Sequence, residues 1–277
     1  MANNTQLQTR GLQQLKGILA NDTMKKNFEN ILKENSGAFM ASIIELYQSD
    51  ASLQMCDPNK VILEALKAAT LKLPINKQLG FAYIIPYKNK GASIPQFQLG
   101  YKGYIQLAQR SGQYRYINAD IIYEGEIVKY NRVTGMLEIA GEATSDKAIG
   151  YFAYFQLLNG FEKAVYWTTE KVTAHARKYS KSYSSPTSVW HTNFDAMALK
   201  TVIKNIISKY GVMSVEFANA VANDTDDSVE NEVNQNANKA PIVLPETPVE
   251  DTPDIQPDPD VIVDPADDDS MDSEPSF

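Results

Sequence analysis

Residues 71–115 read LKLPINKQLGFAYIIPYKNKGASIPQFQLGYKGYIQLAQRSGQYR, and three kinds of pattern follow one another within them. Phe81–Tyr87 has the length and the β-branched and aromatic content of a strand. Lys88-Asn89-Lys90-Gly91 is a turn signal, and Ile94–Leu99 returns the strand pattern, which predicts a hairpin. Pro95 argues for an edge position, since proline has no N–H to donate to a ladder. Gly103–Ser111 then switches to helical spacing, with Tyr104, Leu107 and Ala108 on one face and Gly112 as the stop.

Helices are expected upstream. Asp22 is placed to cap a helix carrying Met24, Phe28, Ile31 and Leu32, and a second helix covers Ala38–Tyr47. Asp57-Pro58 marks a third start, with the cap and the first-turn proline side by side. The leucines and isoleucine of residues 1–20 give an amphipathic segment expected to order against a neighbour. Downstream, Ile117–Tyr123, Ile127–Tyr130, Met136–Ile139, Gly150–Leu158 and Lys163–Thr168 read as strands. Asn159-Gly160 is the sharpest two-residue hairpin signal. Glu170–Tyr179, capped by Thr169, and Trp190–Tyr210 read as helices. The fold class is therefore α+β: an N-terminal helical lobe (1–70), a core of central antiparallel sheet with helices packed on it (71–222), and a tail (223–277).

Charge separates the tail from the rest. Residues 223–277 hold 17 of the 34 acidic residues and one of the 26 basic ones, which leaves −16 there and +8 on residues 1–222. Eight of the 13 prolines also fall in the tail, and Phe277 is its single aromatic residue. Such a composition buries too little apolar surface to offset chain ordering, so the tail is expected to be disordered. A chain ending near Ala222 is accordingly expected to fold.

Several chemistries are disfavoured. One cysteine, Cys56, allows no internal disulfide or thiolate zinc cluster. His191 lacks an acid or nucleophile nearby in sequence, and His175 shares its helix with Lys171 and Lys178, which repel a second positive charge rather than pair with it. No Gly-Lys dipeptide occurs, so the phosphate loop of ATP-driven motors is absent. Asp120, Glu124 and Glu126 are the densest carboxylate group outside the tail, and they keep a metal-dependent nuclease open as an alternative. No apolar run reaches the ~18 residues of a membrane helix and no secretory core precedes residue 10, so a cytoplasmic location is expected.

Basic and aromatic residues concentrate instead in three segments. In the first, Asn76, Lys77 and Gln78 precede the strand that carries Tyr87 and Lys88, with Lys72 and Lys90 flanking. In the second, Lys102, Gln106 and Arg110 recur every four residues on one helix face, and Arg115 follows. Gly100-Tyr101-Lys102-Gly103 also matches the short glycine clamp that grips nucleic-acid backbones. In the third, Lys178, Ser180 and Lys181 lie in or beside a Ser/Tyr loop, and Lys200 and Lys204 are four apart on the long helix. Tyr179, Tyr183 and Trp190 interleave there, with Trp190 and Phe194 assigned to core. Together these segments predict a positive groove with aromatic edges that binds nucleic acid without reading its sequence.

These segments resemble the RecT-type single-strand annealing recombinases of bacteriophages. The resemblance lies in Leu73-Pro74, Ile85-Pro86-Tyr87, the Phe97–Arg115 block, Ile149-Gly150-Tyr151, Lys178-Tyr179-Ser180 and Trp190…Phe194-Asp195-Ala196-Met197-Ala198…Lys200-Thr201. It is collinear over roughly residues 25–215, and Lys209–Met213 departs from it, where many relatives place a Trp or Leu and a Pro. The resemblance implies a non-enzymatic protein without cofactor or ATP requirement. Such a protein coats single-stranded DNA, anneals complementary strands and assembles as a ring or helical filament, with the helical lobe between protomers. It also implies a partner exonuclease and a host single-strand-binding protein, and a fold like the annealing core of eukaryotic strand-annealing mediators. A passive nucleic-acid coat is the other alternative. The tip Asp267-Asp268-Asp269…Glu274-Pro275-Ser276-Phe277 resembles the acidic, Phe-terminated end of bacterial single-strand-binding proteins.

Overall fold

The computed structural model describes residues 2–89, 91–180, 182–186 and 188–224. The N-terminal lobe consists of α1 (Ala2–Ala20), α2 (Asp22–Leu32), α3 (Ser36–Ser49) and α4 (Pro58–Thr70). The cap of α2 is Asn21, one residue before the expected Asp22, and its carboxamide oxygen accepts the Thr23 N–H at 2.9 Å. Asp57 caps α4 as expected, accepting the Asn59 N–H at 2.9 Å. Residues 1–20 do not wait for a neighbour. Leu15 and Leu19 of α1 are buried in the same core as Phe28, Ile43, Val61 and Ile62. Gly11 allows this close crossing, because a Cβ there would lie 2.6 Å from the Tyr47 hydroxyl.

The hairpin forms as β1 (Ala82–Asn89) and β2 (Ala92–Leu99), antiparallel, with Pro86 opposite Pro95. Each strand has one partner in this two-stranded sheet, so both prolines stand at edges. The lobe grips this hairpin through Glu64 of α4, whose carboxylate accepts the Phe97 N–H of β2 at 2.7 Å. Then come α5 (Tyr101–Arg110), β3 (Tyr114–Tyr123), β4 (Ile127–Tyr130), β5 (Leu137–Ala140), β6 (Ala148–Leu157) and β7 (Glu162–Thr168). The central sheet is antiparallel in the order β3-β6-β7, with β4 and β5 paired apart from it. Asn159-Gly160 makes the β6–β7 turn, with Gly160 at φ +86° and the Asn159 side chain accepting the Phe161 N–H.

The helices α6 (Thr169–Tyr179), α7 (Val189–Thr192), α8 (Phe194–Tyr210) and α9 (Val215–Asn223) complete the described fold. Thr168, not Thr169, caps α6. The long helix expected over Trp190–Tyr210 is two helices. Asn193 leaves helical geometry (φ −153°, ψ 68°), and its side chain accepts the Ala196 N–H to start α8 afresh. Helix α8 packs on the central sheet and on α5, burying Leu199, Val202, Ile203, Ile206 and Ile207. The architecture is thus α+β, as the patterning predicts.

One boundary is corrected. The tail was expected to begin at residue 223, yet α9 runs to Asn223 and Asp224 is buried. Phe217 and Ala220 dock α9, with Phe217 packed against the ring of Tyr104. Residues 225–277, with the acidic tip, lie outside the described residues.

Candidate nucleic-acid interface

The first two basic segments form one strip. Residues 71–81 run alongside α5 and are fastened at both ends. Arg110 donates to the carbonyls of Leu71 (2.6 Å) and Lys72 (3.0 Å) at one end. At the other, the Gly100 N–H donates to the Phe81 carbonyl at 2.9 Å. A Cβ on Gly100 would lie 2.0 Å from the Gly80 oxygen, and one on Gly103 would lie 2.2 Å from the Phe81 oxygen. The Gly-x-x-Gly element therefore grips this chain's own backbone, which corrects its reading as a DNA clamp. The buried face of α5 holds Tyr104, Leu107 and Ala108, while Lys102 and Arg110 are exposed and Gln106 is half-buried. Asn76 shapes the linker by accepting the Gln78 N–H at 2.9 Å, and both are exposed.

A cavity of about 180 Å³ opens where this strip meets the α7–α8 corner. Lys77, Tyr83, Gly100, Tyr101, Asn193 and Lys200 line it. Lys77 pairs with Asp50 at 2.5 Å. Burial pushes the Asp50 carboxyl up, but the Lys77 ammonium and the Leu53 and Ser52 amides outweigh it and hold the group below its ordinary value. Burial raises the Tyr83 phenol, so it stays neutral at physiological pH. No side chain caps the N-terminus of α5 at Gly100, and the helix dipole adds partial positive charge there. Tyrosine faces beside ammonium groups suit stacked bases and phosphates.

The remaining expected residues divide. Tyr87 and Lys88 lie on β1, where the Tyr87 hydroxyl accepts from Gln98 at 2.6 Å and Lys88 is exposed. Arg115 on β3 and Lys178 on α6 are exposed, and neither lines the cavity. Lys181 and Lys90 lie outside the described residues. Ser180 is corrected to a structural role: its hydroxyl accepts the indole N–H of buried Trp190 at 3.1 Å. Ser180→Ala is expected to cost about 1–3 kcal/mol by stranding that donor, with an unchanged salt slope of DNA binding. Urea unfolding and a binding titration check the two halves.

Lys200 and Lys204 are also corrected. Each is 3% exposed, too deep for a phosphate to reach in this structure. Their ammonium groups meet the Asp224 carboxylate at 3.1 and 3.2 Å. The Tyr104 hydroxyl (2.7 Å) and the Leu99 N–H (3.3 Å) donate to the same carboxylate. Burial pushes Asp224 up, but the two lysine charges and the tyrosine hydroxyl outweigh it and hold the group below its ordinary value. Its contribution to stability is therefore complete through neutral pH and is lost only as pH falls through that depressed value. No local signal marks this burial, because two lysines four apart on a helix that also carries Thr201, Asn205 and Ser208 read as an exposed face.

The carboxylates considered for metal binding have other work. Glu124 pairs with Lys147 at 3.1 Å and accepts from Ser145, Glu126 accepts the Tyr123 N–H, and Asp120 accepts the Ile121 N–H. Among the described residues no three His, Cys, Asp or Glu side chains gather for one ion. Burial pushes the Cys56 thiol up to about 11. His191 is within 2.7 Å of the Tyr183 carbonyl, and His175 packs between the rings of Trp167 and Tyr179. Among the described residues no helix is long and apolar enough to cross a membrane.

Ammonium, amide and tyrosine groups thus lie together along one linker and one helix. The RecT family model matches residues 37–238, and the chain belongs to the RecT family. An uncharacterized protein of Bacillus subtilis strain 168, YqaK, is 47% identical over 230 residues, covering 83% of this chain and 78% of its own. Protein RecT of Escherichia coli K12 is 28% identical over 179 residues, covering 62% of this chain and 65% of its own. The family supports DNA binding and a role in recombination or strand annealing.

Proposed function

We propose that this protein binds single-stranded DNA along the strip formed by residues 71–81 and α5, and anneals complementary strands without ATP. The observation that carries the reading is the convergence of Lys77, Tyr83 and Tyr101 on one open cavity, with the Lys102 ammonium beside it, 6.0 Å from the centre of the Tyr101 ring. Neutralising successive phosphates lowers the repulsion between two strands, and stacking on tyrosine keeps bases splayed for pairing. No bond is made or broken in this process. We further propose that the protein acts as a homo-oligomer, ring or helical filament, with the helical lobe between protomers. A phage recombination system in the bacterial cytoplasm would supply the setting, with an exonuclease as source of single strands and the host single-strand-binding protein as the competitor displaced.

The test mixes two complementary oligonucleotides, one carrying a quencher, with and without protein and without nucleotide cofactor. Quenching is expected to accelerate with complementary strands only. Equal rates with and without protein would leave a passive coat, and magnesium-dependent shortening of the strands would instead reveal a nuclease.

A further inference from the structure

We infer that Lys200, Lys204, Tyr104 and the Leu99 amide form a phosphodiester site that the chain fills with its own Asp224, an inference that rests on the strand-binding reading above. The donor set is the reason. Each Asp224 carboxylate oxygen takes one ammonium and one further donor: Lys200 and the Leu99 N–H on one, Lys204 and the Tyr104 hydroxyl on the other. Two cations, a hydroxyl and an amide are also the groups that hold a phosphate's non-bridging oxygens. Stability alone does not explain their retention, because a buried ion pair is commonly no more stabilising than apolar groups of the same volume. Apart from Thr201, the other buried residues of the helix that carries the lysines are apolar.

Position is the second reason. Lys200 belongs both to this occupied site and to the open cavity with Lys77 and Tyr101. A strand seated in the cavity would therefore meet the lysine pair next, if Asp224 left. The plug is built to leave. It ends α9, a helix of nine residues joined to α8 through the non-helical residues 211–214. Besides Asp224, only Phe217 and Ala220 among the described residues of this segment are buried, with Val221 half-buried against the core, and Val215 is 79% exposed. In the sequence, Asp226 and Asp227 follow closely after Asp224. A tethered carboxylate competes at high effective concentration, and a strand displaces it only by binding the open form more tightly. Asp224 thus sets a threshold against weak or short polyanions.

The experiment uses the full chain. Amide hydrogen exchange of residues 215–222 is followed alone, with inorganic pyrophosphate, and with an oligo(dT) long enough to span the cavity. Both ligands are expected to speed exchange in α9. Asp224→Asn is expected to bind oligo(dT) about tenfold more tightly, with a salt slope steeper by about 1.4, the value for two added contacts to a single strand. Because Asp224→Asn risks the fold, and removing the lysines alone would strand the buried carboxylate, the double variant Lys200→Met, Lys204→Met is measured in the Asp224→Asn background. That triple variant keeps the volume, and it is expected to bind oligo(dT) more weakly than Asp224→Asn, with the slope flatter by about 1.4. Oligo(dT) binding by the triple variant at the Asp224→Asn slope, or α9 exchange unchanged by both ligands, would overturn the inference and leave a structural ion triad. If the wild-type chain binds no oligo(dT) at all while pyrophosphate still loosens α9, the strand-binding reading fails and the anion site stands.

Discussion

Combining Lys77→Ala, Lys88→Ala and Lys102→Ala is expected to weaken binding to single strands of every sequence by about 500-fold at 0.05 M salt and about 30-fold at 0.2 M. The figures follow from counterion release, which contributes a salt slope of about 0.7 per phosphate contact on a single strand, so three contacts flatten the slope by about 2.1. All three lysines are exposed, and Lys77 gives up only a surface pair with Asp50, its side chain being 49% exposed. Such pairs are worth at most about 1 kcal/mol, so the fold is expected to persist. Filter binding across four salt concentrations measures the slope, and thermal melting checks the fold. A parallel loss at all salts, with the slope unchanged, would mean that these three lysines, two on the strip and Lys88 on β1, do not meet phosphate.

Gly103→Ala is expected to destabilise the protein by about 3 kcal/mol or more, at the upper end of what overpacking costs. The new methyl would lie 2.2 Å from the Phe81 oxygen and 2.9 Å from the Leu99 side chain, and the first is backbone that cannot rotate away. Alanine's better helix propensity returns only about 1 kcal/mol. Gly17→Ala provides the counterweight, because nothing lies within 4 Å of its Cβ position and it sits inside α1. It is expected to stabilise by about 0.5–1 kcal/mol. Urea midpoints that move in opposite directions satisfy both expectations. A neutral Gly103→Ala would show that α5 and residues 80–81 are not packed as closely as described.

The parts of the fold legible in the sequence are those encoded within a few residues. Asp57-Pro58 starts a helix, Asn159-Gly160 turns a hairpin, and the spacing of Tyr104, Leu107 and Ala108 marks the buried face of α5. Partners far along the chain are not legible in this way. Lys200 and Lys204 have the four-residue spacing of a wet helix face, and only Asp224, beyond an unforeseen helix, shows that the face is buried. Ser180 reads as a loop hydroxyl until Trp190 folds back onto it. Asn193 reads as one more helical residue, since an asparagine inside a helix and one that restarts a helix look alike from local pattern. The glycines of Gly100–Gly103 read as a clamp on a nucleic-acid backbone, whereas the backbone they approach is the chain's own residues 80–81.

The linker fastened by Arg110 at Leu71-Lys72 and by Gly100 at Phe81 has a consequence for how an incoming strand is received. Loops that collapse around nucleic acid lose conformational freedom at the moment of capture, and that loss subtracts from affinity. Residues 71–81 are already ordered, and Glu64 ties the lobe on one side of them to the hairpin on the other. The entropy lost on association therefore falls mainly on the flexible DNA, whose bases and sugars must take up the spacing that the protein presents. Every copy of the protein offers the same spacing, so two strands ordered on such templates would meet with their bases in matching step.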